Sequence, residues 1–155
     1  MSRAFVGVAL LLVAAGTGAS ASRQISESPR GAYEASLTPR PNGFAVAWYD
    51  TRGDRPEVYF RLLDRLGNPA GPERRIVSAA GAAYEPDIAA LGSNIAVVWY
   101  ERTEAGTNRP MLGLWAADGR ELWTRPLTAD GHTGRNPVVR SAGNRLFCAW
   151  LEYDG

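Results

Sequence analysis

The chain has no lysine, one cysteine and one histidine among its 155 residues. A single cysteine, Cys148, rules out an intrachain disulfide. It takes the place of a valine in a repeated phrase described below, which marks it as a small buried hydrophobe rather than a reactive thiol. A single histidine, His132, rules out a histidine-based metal site. A Ser-His-Asp triad would have to use it, yet it sits in the glycine-rich stretch ADGHTGRN and the chain has no GxSxG elbow. Net charge of one sign is also missing: 17 Lys+Arg oppose 16 Asp+Glu, giving +1. That balance removes the electrostatic case for nucleic acid or a membrane surface. The basic residues are all arginine, and with the abundant Ala and Gly this reflects GC-rich coding rather than a ligand. No spacing of acids resembles an EF-hand, although the turns DTRGD and YDG could offer calcium a few carboxylate and carbonyl oxygens.

There is no apolar run of the roughly 20 residues that a bilayer span requires. The apolar run over residues 4–15 is shorter. It follows Arg3 and leads to Ala19-Ser20-Ala21, the pattern of a secretory signal peptide over residues 1–21. The expectation is a secreted or periplasmic protein, free of the membrane once cleaved, with its folded part over residues 22–155.

What the sequence does have is a phrase written three times. FAVAWYD (44–50), IAVVWYE (95–101) and LFCAWLE (146–152) place Trp48, Trp99 and Trp150 at intervals of 51 residues. The same interval relates Tyr33-Glu34-Ala35, Tyr84-Glu85-Pro86 and Arg135-Asn136-Pro137. It also relates Leu37, Ile88 and Val139, and again Ile25, Ile76 and Leu127. A fixed period of this size signals stacked supersecondary units, with repeats over 31–80, 81–131 and 132–155. A β-sandwich would give this threefold coincidence only by accident.

Each full period predicts four short strands separated by Gly, Pro, Asn and Asp turns. In the second strand Phe44, Val46 and Trp48 point to one face and Ala45, Ala47 and Tyr49 to the other. Both faces are apolar, so both must be covered. Four-stranded antiparallel sheets packed radially meet that requirement, and the predicted fold is all-β, a β-propeller. The strands number one lone outer strand at residues 23–27, two complete sets and a final pair, about two and a half blades. Such a set does not close a ring. The expectation is an incomplete propeller, finished by further blades of a longer chain or by an oligomer.

WYDTRG followed by VYFRLLDRLGN resembles a repeat of exported bacterial proteins of the sialidase-like (BNR) propeller kind. Their Asp-box, S-x-D-x-G-x-x-W, compares with AADGRELW at 116–123, where Asp118 and Trp123 fit, Ala116 replaces the serine and Gly119 comes one place early. In the first repeat Asp64 and Gly67 match without the tryptophan. The resemblance implies a structural role for these acids, which would accept turn N–H groups. Sialidase chemistry would need an arginine triad and a Tyr nucleophile with a Glu partner. The family's early Arg-Ile-Pro motif is absent, and Tyr33-Glu34 and Tyr84-Glu85 are sequence neighbours rather than that pairing.

In a propeller the loops after the second and fourth strands open on one face. They carry Tyr33, Glu34, Asp50, Arg52, Tyr84, Glu85, Glu101, Arg102, Arg135 and Asn136. Aromatic, guanidinium and carboxylate groups together suit a glycan or protein ligand. With no catalytic constellation, the sequence predicts a binding or scaffold module. The alternative is the N-terminal part of a sialidase-like glycoside hydrolase. The tripeptide Arg52-Gly53-Asp54 is accounted for by turn chemistry.

Overall fold

A computed structural model of the chain describes residues 9–12, 21–78, 81–129 and 131–153. The expected signal peptide lies outside the described residues apart from Ala9–Leu12 and Ala21. Two four-stranded antiparallel meanders form the centre: β3 (Ala32–Arg40), β4 (Gly43–Asp50), β5 (Glu57–Leu63) and β6 (Arg74–Ile76), then β7 (Gly81–Leu91), β8 (Asn94–Thr103), β9 (Asn108–Trp115) and β10 (Glu121–Pro126). A two-stranded sheet of β11 (Thr133–Ala142) and β12 (Arg145–Tyr153) repeats the first half of the pattern. The strand expected over residues 23–27 lies earlier. It is β2 (Ala21–Gln24), paired with β1 (Ala9–Leu12).

The sheets lie side by side through their first strands, β3 against β7 and β7 against β11. Alternation along the second strand explains why they stack. Ala45 and Ala47 of β4 join Val58, Phe60 and Ile76 on one face of their sheet and meet Ile95, Val97, Trp99, Met111 and Trp115 of the next. The other face of that second sheet, with Ala96, Val98, Leu112 and Leu114, meets Val139, Leu146 and Cys148 of the third. Small residues on one face receive large ones from the neighbour, so both faces of the middle sheet are covered. Trp48 and Trp99 are fully buried.

The segment after β2 uses the same device. Ile25 is buried on the first sheet's outer face with Val46, Trp48, Tyr59 and Leu63. Its counterpart Ile76 belongs to the apolar cluster around Val97 and Trp99. Residues 25–27 therefore stand towards the first sheet as β6 stands towards the second. The Ile25 carbonyl accepts from Arg61 Nη1 at 2.8 Å, and the Glu27 amide donates to Glu73 Oε1 at 2.6 Å.

The turns after β5 and β9 hold the acids that the Asp-box comparison singled out. Asp64 Oδ1 accepts from the Leu66 and Asn68 amides at 2.9 and 2.8 Å, and Oδ2 accepts from Asn68 Nδ2 at 2.8 Å. These bonds hold the Asp64 carboxyl below its ordinary range. Asp118 Oδ1 accepts from the Arg120 amide at 2.9 Å.

Candidate functional site

Each first strand breaks its ladder at the same place. Pairing shifts between Tyr33 and Ser36, between Tyr84 and Asp87, and between Arg135 and Val138. At each break one residue is left-handed: Glu34 (φ 51°), Glu85 (φ 51°) and Asn136 (φ 52°). Glycine or asparagine is the ordinary occupant of that conformation, and a glutamate there is held against a local cost of about 1–2 kcal/mol. Three equivalent bulges bring Glu34, Glu85 and Asn136 around one open groove of about 320 Å³, with Pro86 and Pro137 between them.

The bulges are tied to one another. The Asn136 amide donates to Glu85 Oε2 at 2.9 Å. Asp87, just past its bulge, spans three sheets. Its Oδ1 accepts from Ser36 Oγ at 2.5 Å, and its Oδ2 accepts from the Val139 amide at 2.8 Å and Arg140 Nη1 at 2.5 Å. Ser36 and Asp87 are separated by the repeat interval of 51 residues, so one position in successive repeats supplies both donor and acceptor.

Beside the groove runs a strip of tyrosines from the facing ends of the first two strands of both complete sheets. Tyr33 and Tyr49 stack at 5.3 Å, Tyr49 meets Tyr84 edge-on at 5.4 Å, and Tyr84 and Tyr100 stack at 5.3 Å. Burial and the negative charge of Glu34 push the Tyr49 phenol up, and burial and Glu85 push Tyr100 up to about 12. Burial and then Glu85 also raise the Glu34 carboxyl. Carboxylates and phenols thus share one locality. The shifts keep the phenols protonated, the opposite of what an activated tyrosine nucleophile requires.

The structure places the predicted residues in two groups. Glu34, Glu85 and Asn136 line the groove, Tyr33 and Tyr84 directly precede the two glutamates on their strands, and Arg135 is exposed just before Asn136 with its guanidinium 5.2 Å from the Tyr153 ring. Asp50, Arg52 and Glu101 turn inward. Asp50 is fully buried. Its carboxylate accepts from Trp48 Nε1 at 3.1 Å, the Arg52 amide at 3.0 Å and Arg52 Nη2 at 2.6 Å. Arg52 Nη1 also pairs with Glu73 Oε2 at 2.6 Å, and its guanidinium lies 4.2 Å from the centre of the Tyr59 ring. Burial works against that charge, but the bonds to Asp50 and Glu73 hold Arg52 above its ordinary value. Both Asp50 oxygens are engaged, and Arg52 is not displayed as part of an open Arg-Gly-Asp loop.

The Trp-x-acid spacing recurs in the third sheet, where Trp150 Nε1 donates to Glu152 Oε2 at 3.0 Å. Glu152 Oε1 lies 2.7 Å from Nδ1 of the surface His132. In the second sheet Glu101 is buried and its Oε2 lies 3.6 Å from Arg109 Nη2, while Arg102 is exposed near the end of β8. Cys148 is half-buried against the third sheet's apolar cluster, and burial pushes its thiol up. Among the described residues no three His, Cys, Asp or Glu side chains converge to hold a metal ion. No helix of the described residues is long and apolar enough to cross a membrane.

The bulge residue is what sequence reasoning did not single out as special. Its signal was a glutamate or asparagine at one fixed place in three repeats, followed twice by proline. Comparison with known protein families, with curated proteins and with solved structures gives no match for this chain.

Proposed function

We propose that the chain is an exported β-propeller repeat module that binds a glycan or protein ligand at one end of its blades and carries out no chemistry there. The single observation behind this reading is the convergence of three equivalent bulged strands on one groove rimmed by tyrosines. Side-by-side sheets joined through their first strands, with small-to-large packing between them, support the propeller arrangement. On this reading a closed ring needs blades additional to those described, and the signal-peptide pattern over residues 1–21 supports export to the periplasm or the medium. Raised phenols beside the carboxylates support binding over nucleophilic catalysis. A screen of the secreted protein against immobilised glycans and displayed peptides tests the proposal. Saturable binding lost on Tyr33→Ala supports it, and binding unchanged by substitutions at Tyr33, Glu34 and Glu85 removes the groove from consideration.

A second reading, part of a sialidase-like glycoside hydrolase, draws on the Asp64 and Asp118 turns, whose carboxylates accept turn amides as an Asp-box acid does. Hydrolysis of a fluorogenic sialoside separates the two readings. Turnover would favour the hydrolase, and binding without turnover the module.

A further inference from the structure

The groove carries enough chemistry to narrow the ligand. Its polar lining is acidic or neutral: Glu34, Glu85, Asp87 and Asn136. Asp87 is spent on Ser36, Val139 and Arg140. Glu85 has one oxygen on the Asn136 amide. The Glu34 carboxylate has no hydrogen bond or ion pair with any described residue. Glu34 and the remaining Glu85 oxygen are therefore free acceptors, the Asn136 side chain offers two amide donors, and the tyrosine hydroxyls can do either.

Three features of this arrangement fit a hydroxyl-rich ligand. Acceptor-only carboxylates bind neighbouring hydroxyls, each of which has a proton to give. The tyrosine strip supplies flat apolar area at low entropic cost, and Tyr33, at 42 % exposure, presents the most open ring. The groove is wide and shallow rather than a closed pocket, so a chain can lie along it. One feature selects among such ligands. Glu34 and Glu85 already repel each other, and a ligand bearing its own carboxylate would add a third negative charge with no arginine in the groove lining to receive it, the neighbouring Arg135 lying over the Tyr153 ring instead.

We propose that the groove between the three bulges binds an uncharged oligosaccharide, with Tyr33 as stacking platform and Glu34 and Glu85 as hydroxyl acceptors, and that it discriminates against anionic sugars. The proposal rests on the reading of the chain as a binding module.

The test titrates the purified full chain with neutral oligosaccharides (cellohexaose, mannohexaose, laminarihexaose) and with acidic ones (sialyllactose, oligogalacturonate), followed by calorimetry. At least one neutral sugar should bind, and every acidic one about ten-fold more weakly or not at all, as like-charge contact requires. Tyr33→Ala should weaken the neutral sugar by about three- to ten-fold, the worth of one stacking ring. Glu34→Gln, a nearly isosteric change at an exposed position, should also weaken it and should narrow the gap between neutral and acidic sugars. Preference for an acidic sugar overturns the proposal, as does a Glu34→Gln variant with unchanged selectivity. Absence of any sugar binding overturns it too. If displayed peptides then bind in a Tyr33-dependent way, the binding module stands and only the sugar assignment falls.

Discussion

Replacing Asp87 by alanine removes the acceptor that ties three first strands together, and the structure sets the size of the loss. The Val139 amide, on a strand paired only with β12, donates to Asp87 Oδ2 at 2.8 Å, and Val139 is fully buried. Left without an acceptor, a buried amide costs about 1–3 kcal/mol. Ser36 is half-buried and can turn towards water, so its 2.5 Å bond adds roughly 1 kcal/mol. Arg140, with a side chain 73 % exposed, adds between about 0 and 1 kcal/mol. The expected total is about 2–5 kcal/mol, a fall in melting temperature of roughly 4–20 °C for a chain of this size. Thermal and urea unfolding followed by tryptophan fluorescence would measure it. Asp87→Asn keeps one acceptor oxygen and should recover about half of the loss. Arg140→Ala should stay within about 1 kcal/mol of the parent. An Asp87→Ala protein within about 0.5 kcal/mol of the parent would refute the reasoning, as would an Arg140→Ala protein equally destabilised.

Three further outcomes follow from single positions. Gly43 has φ +135°, and a Cβ there would lie 2.1 Å from the Leu63 carbonyl oxygen, whereas Gly92 at φ +61° has open space around it. Gly92→Ala should cost about 1–2 kcal/mol from conformation alone, and Gly43→Ala about 1–3 kcal/mol beyond that, both read by urea unfolding. Arg52→Ala leaves the fully buried Asp50 without its cation and should cost about 3–5 kcal/mol, while Arg102→Ala, exposed near the end of β8, should lie within about 0.5 kcal/mol of the parent. Tyr59 and Tyr100 are pushed up to about 12, so the folded state holds their protons where the unfolded chain has released them. Stability should therefore be undiminished below pH 10 and fall as pH rises towards about 12. An ultraviolet titration should find these phenols ionising later than in denaturant, and coincident curves would contradict the assignment.

The sheets were legible in the sequence because the residues that make them repeat. Trp48, Trp99 and Trp150 fixed the interval, and alternation of Ala45 and Ala47 with Val46 and Trp48 implied two covered faces, as found. The rim was legible in part. Tyr33, Glu34, Tyr84 and Glu85 do share one end of the sheets, because a strict repeat places equivalent residues equivalently. Asp50 and Arg52 were less legible, since Asp-Thr-Arg-Gly-Asp has the composition of any exposed turn. Only the packing shows that Trp48 Nε1 and Arg52 draw the carboxylate inward. The bulges were hidden for a related reason. Left-handed backbone is ordinarily marked by glycine, and here the position carries glutamate twice, with only Glu85 tied to the next sheet, through the Asn136 amide. The pairing of β2 with β1 had no signal in the repeat, because β1 lies before the first copy of the period.

The account depends most on the two complete sheets standing side by side with their tyrosine ends together. An aromatic NOESY spectrum of selectively labelled protein tests this directly. The stacked pairs Tyr33–Tyr49 and Tyr84–Tyr100 lie within single sheets and would give cross-peaks in many all-β arrangements. The Tyr49–Tyr84 pair, 5.4 Å apart, bridges the two sheets. The account predicts that its cross-peak is as strong as the other two. Two strong cross-peaks within the sheets and none between Tyr49 and Tyr84 would contradict it.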